Sequence, residues 1–191
     1  MTIGIWGDSI TYGSCDSEAL GWAGRLRKSL PTDDYHQLYS FGVCGDTSED
    51  LLKRFKIECD AIQPDTIIFA VGINDSKFPN DSDSHKVSLE SYEKNLEYLI
   101  IEATKHTNNI TIVSATKVNN EWRSVRGSRF LNEEIKKFNE VAKQVSDKND
   151  LKFIDVFETL NPETDLADGL HPNAQGYDKL YRVIQDDLNF Q

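Results

Sequence analysis

No stretch of this sequence is apolar over the roughly 18 residues that a membrane-spanning helix needs, so no membrane insertion is expected. Cysteine is scarce. Cys15, Cys44 and Cys59 are the 3 present, an odd number whose spacings fit neither a disulfide scaffold nor a zinc site. No metal and no cofactor are therefore expected. Positive charge is also short: 21 Lys and Arg stand against 32 Asp and Glu, a formal net charge of -11. A body this acidic repels the phosphate backbone, so nucleic acid is not an expected partner. Met1 leads almost at once into an apolar run, without the basic segment and apolar core of a secretion signal. Together with the few cysteines, this points to a cytoplasmic location. There is no repeat, no low-complexity tract and no Pro- or Gly-rich linker, so residues 1–191 are expected to form one domain. The spacing of residues carries no signal for or against an oligomer.

What is present is a regular alternation of two patterns. Apolar, β-branched runs occur at Ile3 to Trp6, Leu38 to Phe41, Thr66 to Val71, Ile110 to Ala115 and Leu151 to Val156. Each is continuous, as strands buried on both faces are. Between them, Leu51, Phe55, Cys59 and Ile62 fall at helical spacing, as do Tyr92, Leu96, Leu99 and Ala103, and then Leu131, Ile135, Phe138, Ala142 and Val145. Asp46 with Glu49 reads as a capping box, Gln63-Pro64 as a helix end, and Asn173 to about Leu188 as a final helix. The fold class is therefore α/β: a three-layer α/β/α sandwich, flavodoxin-like, with about five parallel strands. Two long polar connections, Asp75 to Lys86 and Lys117 to Arg129, follow strands directly, where functional loops occur.

In a parallel sheet, ligands bind at the carboxyl ends of the strands. The first strand stops in Gly7-Asp8-Ser9. A serine there could simply cap a helix. The stretch Asp168 to Pro172, DGLHP, changes its weight, because a histidine base with an orienting carboxylate is what a serine nucleophile lacks. Asp168 and His171 are three apart, so one short loop lets the carboxylate hold Nδ1 while Nε2 faces Ser9. Three donors are available for a developing oxyanion: the Ser9 amide, the bare amide of Gly45 and the side-chain amide of Asn74. Gly45 also reads as a turn glycine and Asn74 as an Asx cap. Beside the serine, Asp8 is a candidate substrate contact, as are Trp122, Arg123 and Arg126 in the second long loop, where a ring and two guanidiniums make a stacking platform with an anion clamp. His36, His85 and His106 read as surface or helix-end residues.

The ordered blocks GDSITYG, GVCGDT, GIND and DGLHP resemble those of the GDSL, or SGNH, family of serine esterases and lipases. The resemblance implies the flavodoxin-like sandwich, Ser9 as nucleophile, His171 as base, Asp168 as its partner, and an oxyanion hole of Ser9, Gly45 and Asn74. The first block has Ile10 where the family name has leucine, and the second has Ser40 where asparagine is common. The expected activity is hydrolysis of a small-molecule carboxylic ester through an acyl-serine, the candidates being a sugar O-acetyl ester, a lipid or a thioester. Activity should decline in acid as the imidazole protonates. The nucleophile elbow of α/β-hydrolases is absent, because Thr11 stands where its second glycine belongs. Two other readings remain open: a metal-dependent phosphoesterase using Asp8, Asp46, Asn74, Asp75, Asp168 and His171, and a binding module that has lost catalysis.

Overall fold

The computed structural model describes residues 1–31, 35–80, 82–119, 122–124 and 127–188. Five strands, β1 (Thr2–Gly7), β2 (Gln37–Gly42), β3 (Thr66–Ala70), β4 (Ile110–Val113) and β7 (Lys152–Ile154), form one sheet in the order β2-β1-β3-β4-β7. All four pairings are parallel. That is the flavodoxin-like order, in which the chain steps outward from β1 to β2 and then back across to β3. The crevice between the carboxyl ends of β1 and β3 is the topological switch point.

The continuous apolar runs are explained by what lies on each face. Ile3 and Ile5 of β1, Ile68 of β3, Val113 of β4 and Ile154 of β7 meet α2 (Gly21–Ser29) and α6 (Ala174–Leu188) through Trp22, Leu26, Tyr177, Leu180 and Ile184. Trp6, Ile67, Phe69, Ile110 and Ile112 point the other way, onto α3 (Ser48–Ile62), α4 (Leu89–Ala103) and α5 (Asn132–Lys148). Strands alternate their side chains between faces, so a strand covered twice must be apolar at every position. β2 departs from that expectation. It is an edge strand, and three of its positions, Gln37, Tyr39 and Ser40, are exposed, with only Leu38 buried.

Local corrections have local causes. The capping box of α3 is Thr47 with Asp50, one residue later than Asp46 with Glu49, because Arg54 takes the Asp46 carboxylate at 2.8 Å. The loop after β4 contains a short antiparallel pair, β5 (Trp122–Arg123) with β6 (Arg129–Phe130). Phe78 exchanges both backbone hydrogen bonds with Arg129 at 2.9 Å, so the two long loops are joined. His85 is not a surface residue: its ring sits 4.6 Å from that of Phe78 and 5.1 Å from that of Phe138, with Nε2 3.0 Å from Glu134. Among the described residues, no helix is long and apolar enough to cross a membrane.

Candidate active site

Ser9 is the first residue of a single helical turn, α1 (Ser9–Tyr12), at the end of β1. The turn is fixed at both ends: the Asp8 carboxylate accepts from Ile10 N–H at 2.9 Å, and the Gly13 N–H donates back to Ser9 O at 3.0 Å. Such capping holds a short turn that propensity alone would not. It leaves Ser9 Oγ 3.0 Å from His171 Nε2.

The histidine arrives on a loop that folds around its own carboxylate. Asp168 Oδ1 accepts the main-chain N–H groups of Leu170 at 2.9 Å and His171 at 2.7 Å, and Oδ2 lies 2.8 Å from His171 Nδ1. The loop is closed by Ala167 N–H to His171 O and Asn173 N–H to Asp165 O, both 2.8 Å. Partial burial pushes the Asp168 carboxyl up, but the His171 N–H and ring and the Leu170 N–H outweigh it and hold the group below the ordinary carboxylate range. Asp168 is thus kept ionised beside the imidazole.

Asn74 follows β3 and is only 6% exposed. Its Oδ1 lies 3.4 Å from Lys77 Nζ, whereas its buried Nδ2 has no hydrogen-bond partner among the described residues. A buried amide donor without an acceptor costs about 1–3 kcal/mol, and this one is free to donate to a bound group. Lys77, which the sequence reading missed, occupies the carbonyl side and so turns the NH₂ the other way. Burial, with Lys86 nearby, lowers the pKa of Lys77. Gly45 lies on the loop between β2 and α3 with φ +86, a left-handed conformation that favours glycine, and a Cβ there would meet nothing within 4 Å. Fully buried Asp75 ties the loop after β3 to that region, accepting from Ser48 N–H at 3.0 Å and from its hydroxyl. Burial pushes the Asp75 carboxyl up to about 6 against those bonds.

Of the candidate substrate contacts, Asp8 is placed elsewhere: it is 3% exposed and spends its carboxylate on capping α1. Trp122 donates its indole N–H to the Asp168 carbonyl oxygen, stacks edge-on to Phe130, and lies so close to Gly169 that a Cβ there would fall 2.6 Å from its ring. It braces the histidine loop rather than standing free as a platform. Arg123 is exposed on β5, and Arg126 lies outside the described residues. The six residues considered for a two-metal centre do not converge either, since Asp8 caps α1, Asp46 pairs with Arg54 and Asp75 holds Ser48.

Asp8 gives a stability test. Burial, above all, pushes its carboxyl up to about 7; the Ile10 N–H opposes this, and Asp75 and Asp46 add to it. In the unfolded chain an aspartate ionises near pH ~4. The folded state therefore holds the extra proton between about pH 4 and about pH 7, and stability falls as pH rises through that window, by a few kcal/mol in all. Asp8→Asn keeps an oxygen for Ile10 N–H and removes the dependence. Its Tm relative to wild type should rise from pH 5 to pH 8, and an equal offset at both pH values would refute the assignment.

The model of the GDSL-like Lipase/Acylhydrolase family matches residues 5–179. The chain is 26% identical over 162 residues to an acetylxylan esterase of Geobacillus stearothermophilus, covering 78% of this chain and 71% of that protein. It is 28% identical over 179 residues to a multidomain esterase of Ruminococcus flavefaciens, covering 91% of this chain but only 20% of the relative. In three dimensions it is similar to the crystal structure of Axe2, an acetylxylan esterase from Geobacillus stearothermophilus, with TM-score 0.79 and 23% identity over 100% of this chain and 94% of that one.

Proposed function

The chain belongs to the GDSL-like lipase/acylhydrolase family, and from that premise we propose that it hydrolyses a short-chain acyl ester of a carbohydrate through an acyl-serine. It is a hydrolase acting on ester bonds. The observation that carries the mechanism is the run of contacts from Ser9 Oγ to His171 Nε2 at 3.0 Å and from His171 Nδ1 to Asp168 Oδ2 at 2.8 Å.

In this reading Ser9 Oγ attacks the ester carbonyl as His171 Nε2 takes its proton. The protonated imidazole then gives that proton to the leaving alcohol. Asp168 holds the Nδ1–H tautomer and stabilises the imidazolium. Water attacks the acyl-serine by the same route, with His171 again as base, and Ser9 is regenerated. The oxyanion of each tetrahedral intermediate is held by the N–H groups of Ser9 and Gly45 and by Asn74 Nδ2. Asn74→Ala should therefore lower kcat by about 10²- to 10³-fold with little change in KM. Unchanged turnover on an aryl acetate would remove Asn74 from the site.

A short acyl group is supported by the tightness around the reacting atoms, since Ser9 is 8% and Asn74 6% exposed. A sugar leaving group is supported by the acetylxylan esterase among the relatives. The test is a panel of aryl esters from acetyl to decanoyl, followed by acetylated xylo-oligosaccharide. The expected result is highest kcat/KM with acetyl and a steady fall with chain length. A maximum at long chains would replace the carbohydrate reading by a lipid one.

A further inference from the structure

Cys15 Sγ lies 3.9 Å from Asp168 Oδ2, the carboxylate oxygen that also meets His171 Nδ1. Thiol, carboxylate and imidazole thus offer three donor atoms within 4.8 Å of one another. Among the described residues this is the one group of three or more Cys, His, Asp and Glu side chains gathered so closely. Cys15 and Asp168 are exposed and His171 is half-buried, so the group opens to solvent.

We infer that this cluster is a binding site for a soft divalent cation, with zinc as the representative, and that its occupation switches the hydrolase off. The inhibition rests on the triad proposed above, whereas the binding does not. Sulfur, nitrogen and oxygen donors around one ion are the set that zinc prefers. Tetrahedral zinc, with Zn–S about 2.3 Å and Zn–N and Zn–O about 2.0–2.2 Å, needs S···O near about 3.6 Å and N···O near about 3.4 Å. The sulfur must therefore approach the carboxylate by only a few tenths of an ångström, while the carboxylate withdraws from the ring by roughly 0.6 Å. Both are small rotations of solvent-facing side chains, and water completes the fourth position. Magnesium and calcium, which seek about six or more oxygen ligands, do not match the set.

The loss of activity follows from proton placement. As the S–Zn bond forms, the Cys15 thiol proton goes to water. The imidazole stays neutral, its proton moves from Nδ1 to Nε2, and the Nδ1 lone pair binds the ion. Nε2–H can then only donate to Ser9 Oγ. The base is gone and the acid is occupied.

The test has two arms that fail separately. Cobalt(II) added to wild type should produce the near-ultraviolet sulfur-to-cobalt charge-transfer band, which should persist in Cys44→Ala and vanish in Cys15→Ala. That arm needs no turnover and can be run in Ser9→Ala as well. In the second arm, ester hydrolysis under buffered free zinc should be inhibited reversibly, recover with chelator and ignore magnesium. Comparing each protein with and without the ion, Cys15→Ala should need at least about tenfold more zinc for the same fractional inhibition. Absence of the band in wild type, its persistence in Cys15→Ala, or equal zinc sensitivity in the two proteins would overturn the site. Full activity of cobalt- or zinc-loaded wild type would overturn the inhibition.

Discussion

Ser9→Ala is expected to lower kcat by about 10⁶-fold, the effect of removing a nucleophile from a serine–histidine unit. The fold should survive, because Ser9 Oγ bonds to His171 Nε2 while the turn that carries it is held by Asp8, Ile10 and Gly13. An aryl acetate assay beside a thermal unfolding curve checks both halves of the statement. A variant with unchanged Tm and more than a few per cent of wild-type turnover would show that another group attacks the ester.

The second large effect is expected from Asp168→Asn, at about 10⁴-fold in kcat. The carboxylate accepts from three N–H groups: Leu170, His171 and the imidazole. Asparagine can keep its oxygen on the two main-chain donors, so the loop keeps its shape, but its NH₂ then faces Nδ1. That forces Nδ1 to accept and puts the imidazole proton on Nε2, where it faces Ser9 and cannot take the hydroxyl proton. The loss should therefore come in kcat with KM nearly preserved. A fall of less than tenfold would reduce Asp168 from an orienting partner of His171 to a loop residue.

Much of this arrangement was legible because it is written in short, local patterns. The five sheet strands stand out because burial on both faces leaves apolar runs, and their parallel direction follows from the helices between them. Ser9, Asn74 and His171 each sit just past a strand or before a helix, so the sequence already placed them at one edge of the sheet. The unread parts depend on contacts between distant segments. Cys15 reaches Asp168 across 153 positions, and Trp122 reaches the Asp168 carbonyl from a two-residue strand too short to leave a period. Asp8 looked available to substrate because a carboxylate next to a serine carries no mark of its burial. The cap of α3 slipped by one residue because Asp46–Glu49 and Thr47–Asp50 both fit the template, and Arg54 decided between them. Lys77, three residues after Asn74, lay within reach of a spacing argument once Asn74 was taken as a donor.

The proposed chemistry starts from Ser9 and His171 as an attacking pair. Its most direct test is mass-spectrometric mapping of the adduct formed by a serine-directed fluorophosphonate on the folded protein. One stoichiometric adduct on Ser9 is expected, formed rapidly in wild type and very slowly in His171→Ala. Modification of a different residue, or an active enzyme that acquires no adduct at all, would contradict it.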